Sequence, residues 1–259
     1  MAAVTDQPAA APSVLWKAFD VLGAFSHRDR VLSLAEIARR SALPKSTAHR
    51  VLAMLLETGA VEQAGSGYRL GLRMFSLGAL PPEAELREAA MVHLEWLHRA
   101  TGQTLHLAVL RGGDVVYLEK LLSRQRVDTP AAIGDRLPAS CTAVGKALLA
   151  FSGEQAEASV LAGALPRLTT RSVRSEVALR GQLAAIRAQG FATDRQESTD
   201  GLACVAVPVI AGGHAVASVS VAFPASAGTG SVFIGPLRQA AAAIASSPVI
   251  RRAAPLTDS

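Results

Sequence analysis

"LPKSTAHRVLAMLLETG", Leu43–Gly59, joins two unlike halves. Ala48, Val51, Leu52, Leu55 and Leu56 recur at i, i+3, i+4, i+7 and i+8, the spacing of a helix buried along one side. Ser46, His49, Arg50 and Ala53 fall on the opposite side. Pro44 suits a helix start, where its missing N–H is not needed. Gly59 suits the position just past the end. The stretch reads as one helix with an anchored rear half and a bare, polar front.

The flanks extend this reading. "SLAE", Ser33–Glu36, is a capping box that opens a short helix with Leu34, Ile37 and Ala38 inward. A tight turn at Ala42 and Leu43 leads into the longer helix. Upstream, Ser13 opens a helix with Val14, Ala18, Val21, Leu22 and Phe25 on one side. Downstream, "AVEQAGSGYRLG" predicts two short strands around a turn at Ala64–Gly67. Two helices, a turn, a third helix and a hairpin, in that order, predict a winged helix-turn-helix over residues 13–72. The major groove of DNA admits one helix, whose N-terminal part faces the base edges. Here that part offers Lys45, Ser46, Thr47, His49 and Arg50, none bulky or acidic. Tyr68 and Arg69 in the wing are placed to reach the backbone or minor groove. Arg39 and Arg40 end the preceding helix, where they suit either a flanking phosphate or the helix dipole.

Composition sets outer limits. The 259 residues are 50% hydrophobic and 18% charged, a globular balance with material for two domains. The net charge is +5, and nine Lys/Arg against six Asp/Glu fall in residues 1–80. That is a mild pull toward an acidic partner. The most apolar region, Gly201–Phe223, is broken by Pro208, Gly212, Gly213 and His214, so it predicts strands and not a membrane span. Residues 1–12 have no basic start followed by an apolar run; a disordered Ala/Pro leader and a cytoplasmic protein are expected. Cys141 and Cys204 are the only cysteines, which excludes a disulfide framework and a zinc site of several cysteines.

Pro81–Pro82 marks the expected boundary, within a linker at 73–85. Residues 86–248 predict a second domain and residues 249–259 a tail. A helix ending at Gly102 is followed by a hairpin, "TLHLAVL" and "VVYLEKL", turning at "RGGD". A third strand is expected within 126–133. Helices are expected after a cap at Ser140 or Thr142, over 152–162, 175–189 and 236–246. "GLACVAVPVIAGGHAVASVSVAF" predicts a strand, a Gly-Gly loop and a strand. Strands at both ends with helices between give an α+β layering.

These blocks resemble the isocitrate lyase regulator (IclR) family of bacterial transcription factors. "LSLAEIARRSALPKSTAHRVLAMLLETGAVE" and "GYRLG" are similar to its DNA-binding half. "TGQTLHLAVLRGGDVVYLEKL", "GDRLPASCTAVGKALLA", "LPRLTTRSV", "IRAQGFATDRQESTDGLACVAVPV" and "VASVSVAFP" are similar to its effector-binding half. The resemblance implies a GAF/PAS-like α/β effector-binding domain, a homodimer or dimer of dimers, operator DNA as partner, and a small carboxylate or aromatic effector. No metal, cofactor or membrane is expected. Repression is the expected sign. Ala42 stands where the family often has glycine, so the turn is expected to take a slightly different shape. Ser140–Cys141 stand where a His-Ala pair is common.

The family's pocket maps onto Leu137, Ser140, Cys141, Thr142 and Ala143 of the loop entering the "TAVGKA" helix. It also maps onto Asp194, Leu202, Cys204, Ser218 and Ser220. Backbone N–H groups at a helix N-terminus suit a carboxylate. Lys146 is expected either to add charge or to stay solvated. Ser218 and Ser220, two apart, share one face of a strand. Cys204 joins that face opposite Ser220 if the loop at Ala211–His214 has an odd number of residues; an odd loop is expected.

Two other readings compete. "SCTAVGK" fails as a phosphate loop, because Ser140 replaces the first glycine and Ala147 follows the lysine. No signature pairs Cys141 with a histidine base, so an enzyme is not expected. The alternative reading is a thiol- or metal-responsive regulator using Cys141 and Cys204.

Overall fold

The computed structural model describes residues 13–27, 29–123, 129 and 131–253. The chain divides into two compact units, Met1–Pro81 and Pro82–Ser259. The leader expected at 1–12 lies outside the described residues.

In the first unit three helices precede a two-stranded wing. They are α1 (Val14–Gly23), α2 (Leu34–Arg40) and α3 (Lys45–Glu57), with β1 (Val61–Ala64) paired to β2 (Gly67–Leu70). The capping box on α2 is formed: Glu36 N–H donates to Ser33 Oγ, and Ser33 N–H donates to the Glu36 carboxylate at 2.8 Å. Val21, Ile37, Val51, Leu52, Leu55 and Val61 form the core. Leu32 adds a bridge to Tyr68 and so ties the wing to the chain ahead of α2. Val14, expected inward, is half exposed; the α1 register turns it outward.

In the turn between α2 and α3, Ala42 holds φ +53°, the left-handed conformation that glycine adopts without cost, so the alanine bears the strain. Ala42→Gly is therefore expected to stabilise the unit by about 1 kcal/mol, read by urea unfolding. An unchanged or lowered midpoint would contradict this.

The expected linker at 73–85 is mostly helical: α4 (Leu72–Gly78) and α5 (Pro82–Thr101) leave only a short break around Pro81. Proline at the front of α5 sits where its missing N–H costs nothing, which explains why the helix begins there.

Among the described residues, the second unit is built on a six-stranded antiparallel sheet. Its members are β3 (Thr104–Arg111), β4 (Asp114–Leu121), β5 (Arg136–Pro138), β6 (Ala192–Arg195), β7 (Leu202–Ala211) and β8 (His214–Pro224), ordered β5-β4-β3-β8-β7-β6. Half of the strand expected within 126–133 lies outside the described residues and the rest is not strand; the edge strand beside β4 is β5. Odd positions of β7 and β8 (Val205, Val207, Val219, Val221) pack under α5 and α9 (Ile234–Ala245). Even positions face α6 (Ala143–Phe151) and α8 (Glu176–Gln189), with α7 (Glu154–Leu161) beside them. The expected tail is in part structural: α10 (Pro248–Ala253) brings Ile250, 2% exposed, into the first core. No helix of the described residues is long and apolar enough to cross a membrane.

The β7–β8 loop also departs from expectation. Ala211 pairs with His214, leaving a two-residue turn at Gly212 and Gly213, both at positive φ. Such a turn matches strand twist. An even loop alone would put Cys204 and Ser220 on opposite faces. A bulge corrects the parity: Val209 pairs with Ala217 but Ile210 with Ala215, so Val216 is an extra residue. Cys204 consequently lies opposite Ala222, Ala206 opposite Ser220, and Cys204, Ser218 and Ser220 share one face.

Candidate functional site

The front of α3 is open. Pro44 is the N-cap residue and supplies no side-chain cap, in contrast to Ser33 on α2. The first-turn amides of α3 therefore keep their donors free of a capping side chain and carry the positive end of the helix dipole. Lys45, Ser46, His49 and Arg50 are exposed there, Thr47 is half-buried, and Ala48, Val51 and Leu52 anchor the opposite side. The other basic positions differ. Arg39 is exposed. Arg40 is tied down, donating to Asp29 at 2.8 Å and to the Ala24 carbonyl. Arg69 pairs with Glu62 across the wing at 2.9 Å, and half-buried Tyr68 packs against the core. Of the nine residues singled out for DNA, the α3 set is thus the freest to meet a partner.

The second unit holds a small, partly open cavity of ≈ 20 Å³ between the even face of the sheet and the start of α6. Leu137, Thr142 and Ala143 line it from the entering loop. Asp194, Leu202, Cys204 and Ser220 line it from the sheet and its edge. Ser140, Cys141 and Ser218 do not. Cys141 donates to the Pro166 carbonyl at 3.3 Å with Ser140 beside it, and Ser218 donates to the Val207 carbonyl at 3.1 Å. All three are turned into local packing against partners that residue spacing does not mark.

Six lining residues were missed: His106, Tyr117, Thr129, Ala131, Val144 and Ser198. The first two had a signal. In "TLHLAVL" the alternation puts His106 on the face away from Leu105 and Leu107, and "VVYLEKL" does the same for Tyr117. The two rings meet edge to face at 5.2 Å.

Local chemistry shapes the cavity. Thr142 caps α6 by accepting from Gly145 N–H at 3.0 Å, and Ala143 and Val144 of its first turn line the cavity. Asp194 is 1% exposed and accepts from Glu197 N–H and the Ser198 hydroxyl. Burial pushes its carboxyl up to about 6 against those two hydrogen bonds. Burial raises the Tyr117 hydroxyl as well. Lys146 is not solvated. Its Nζ is buried against both Glu197 oxygens, 2.6 and 2.7 Å, and Gln182 Oε1.

The Asp194 shift has a definite sign. Its folded value lies above its unfolded value of 3.8, so its contribution to stability is intact below about pH 4 and lost as pH rises to about 6. Asp194→Asn is expected to remove a fall on the order of 2–3 kcal/mol across that window, read by urea unfolding at stepped pH. Parallel wild-type and variant profiles would contradict it.

The thiol alternative finds little to work with. Burial raises both Cys141 and Cys204, keeping them as thiols at neutral pH, whereas thiol reactivity and metal ligation need the thiolate. No group of three or more His, Cys, Asp or Glu suited to a metal occurs among the described residues.

Two family profiles match the chain: "IclR helix-turn-helix domain" over residues 14–65 and "Bacterial transcriptional regulator IclR C-terminal" over residues 81–246. The HTH-type transcriptional regulator KdgR of Escherichia coli is 35% identical over 223 residues, covering 84% of this chain and 84% of the relative. The regulator XynR of the same organism is 36% identical over 197 residues, covering 74% of this chain and 78% of the relative. An IclR homolog from Microbacterium hydrocarbonoxydans, solved in complex with 4-hydroxybenzoate, superposes with a TM-score of 0.82 at 30% identity. The match covers 93% of this chain and 100% of that one. The Thermotoga maritima IclR superposes with a TM-score of 0.75 at 28% identity, covering 89% of this chain and 96% of that one.

Proposed function

The chain belongs to the IclR family of bacterial transcriptional regulators, and from that premise we propose how its two units work. The α3 front enters the major groove of an operator, with Lys45, Ser46, Thr47, His49 and Arg50 facing base edges and phosphates. The cavity takes a small organic acid, and its occupancy changes operator affinity. The 4-hydroxybenzoate in the solved complex of the Microbacterium hydrocarbonoxydans homolog supports an organic acid as the ligand class. The chain acts as a repressor in the cytoplasm, without catalysis of its own.

The observation that carries the DNA reading is the contrast between α2 and α3. The sequence caps the first with a full capping box and leaves the second open, with exposed basic and hydroxyl side chains around the open end. Arg50→Ala is expected to weaken binding to a selected operator by about 1–3 kcal/mol if Arg50 grips a base through two hydrogen bonds, and to relax specificity at that position. A uniform loss across sequences would make it a phosphate contact; no loss would remove Arg50 from the interface.

A homodimer, alone or paired into a dimer of dimers, completes the proposal. Trp16 and Phe19 on α1 and Leu72 and Phe75 on α4 are each about 70% exposed, more apolar area than an isolated small unit leaves in water. Sedimentation equilibrium of the full chain reads the assembly.

A further inference from the structure

Glu62, on the wing, accepts three hydrogen bonds at once. It stands directly opposite Arg69 in the β1–β2 register, so the two side chains share one face of the hairpin. Its Oε2 accepts from Arg69 Nε at 3.1 Å and from Arg69 Nη2 at 2.9 Å. Its Oε1 accepts from Leu72 N–H, the first amide of α4, at 3.0 Å. Gly71 precedes that amide and has no side chain to cap it, so the wing carboxylate stands in for a cap. The Leu72 amide, and after it the Arg69 guanidinium, hold the Glu62 carboxyl below the usual carboxylate range, so it is ionised at neutral pH.

The consequence is electrostatic. A guanidinium grips a phosphate through its N–H fork and its charge. Two of the Arg69 donors already face Glu62, whose carboxylate offsets the charge that a phosphate would meet. The Arg69 and Glu62 side chains are 57% and 37% exposed, so the pair itself is weak, and one anion exchanges readily for another. What keeps the carboxylate beside the arginine is its other bond, to α4. Arg40 at the end of α2 is treated alike, since Asp29 accepts from it at 2.8 Å. Lys45 and Arg50 at the front of α3 have no ion pair among the described residues. Acids thus stand beside the flanking cations and spare those of α3.

We infer that Glu62 restrains the wing: it holds Arg69 back from the DNA backbone, so that binding rests on α3 and the wing adds less phosphate contact than a free arginine supplies. The inference rests on reading the first unit as DNA-binding. Glu62 is then a positioning residue that acts through Arg69.

Glu62→Gln in the full chain tests this, because glutamine keeps an acceptor for Leu72 N–H and removes the charge. Affinity for a selected operator duplex and for a scrambled duplex is measured between about 50 and about 200 mM salt. The variant is expected to bind both duplexes more tightly at the low-salt end. Its plot of log affinity against log salt should be steeper by about 0.9, the mark of one added phosphate contact, which is an extra loss of roughly 3.5-fold across that range. The slope is the decisive reading, since a merely structural loss lowers affinity without adding an ion. In an Arg69→Ala background the same change is expected to gain clearly less, because no guanidinium is left to release. An unchanged or shallower slope in Glu62→Gln would overturn the inference. So would an equal gain with and without Arg69, which would make Glu62 a plain repelling charge. A wild-type chain that binds neither duplex would remove the DNA reading and this inference together, whereas one that binds the selected duplex and is unaffected by Glu62→Gln loses this inference alone.

Discussion

Gly145→Ala is expected to lower the unfolding free energy of the second unit by about 3 kcal/mol or more and to abolish acid binding. The reason is space. A Cβ built on Gly145 falls deep inside contact distance of the Ala139 carbonyl oxygen and Cα. Ala139 belongs to a 3₁₀ turn, Ala139–Cys141, that lies directly on α6, and its own N–H is bonded to the Gly113 carbonyl at 3.1 Å. The obstacle is backbone, which cannot rotate aside as a side chain would. Either the turn lifts, or α6 shifts, and in both cases Thr142 and Ala143 move at the cavity wall. Gly181→Ala on α8 is the control, because nothing lies within 4 Å of its added Cβ. That change should be neutral or stabilising by up to about 1 kcal/mol. Chemical denaturation of the two variants reads the difference; equal stability would show that the turn yields freely.

Lys146→Met is expected to cost about 3–5 kcal/mol, because it leaves the Glu197 carboxylate buried without its partner. The side chains of Lys146 and Glu197 are 2% and 9% exposed, so water cannot take over the solvation. The loss should not stop at the pair. Glu197 N–H donates to Asp194, and the Glu197 carbonyl accepts from Ser172 at 2.7 Å. Gln196, at φ +64°, is held in a left-handed conformation between them. An uncompensated charge in this loop disturbs Asp194 and Ser198 at the cavity. Pairing the change with Glu197→Leu removes both charges, and the double variant should recover most of the loss. If the double variant is no better than Lys146→Met, the penalty comes from lost packing and not from the stranded carboxylate.

Local patterns carried much of this molecule. The Ser33–Glu36 capping box, the apolar stripe from Ala48 to Leu56 and the glycines of the wing each act within a few residues, so their spacing is legible in the chain. The alternation of "SVS" placed Ser218 and Ser220 on one face for the same reason. What escaped depends on distant partners or on a compensating irregularity. Lys146 and Glu197 are 51 residues apart, and nothing in "AVGKA" says that its lysine will be buried. The parity of β7 and β8 followed from a bulge at Val216 that no composition rule marks; the shared face was anticipated, but the odd loop offered as its cause was not. The face of His106 was readable from alternation alone, but its contact with Tyr117 and its pairing with Ser220 depend on strands distant in the chain. Ser140 and Cys141 show the reverse case: their positions match a binding loop, but in the 3₁₀ turn both are buried and neither lines the cavity.

The central claim is that α3 reads sequence, and the specificity ratio of the full chain measures it most directly. A duplex selected from a random pool and its scrambled counterpart are titrated at one fixed salt concentration, since phosphate contacts alone give salt-dependent binding to any DNA. The account predicts that the selected duplex binds at least about 10³-fold more tightly. Equal affinity for the two would leave α3 as an ordinary basic surface and contradict the account.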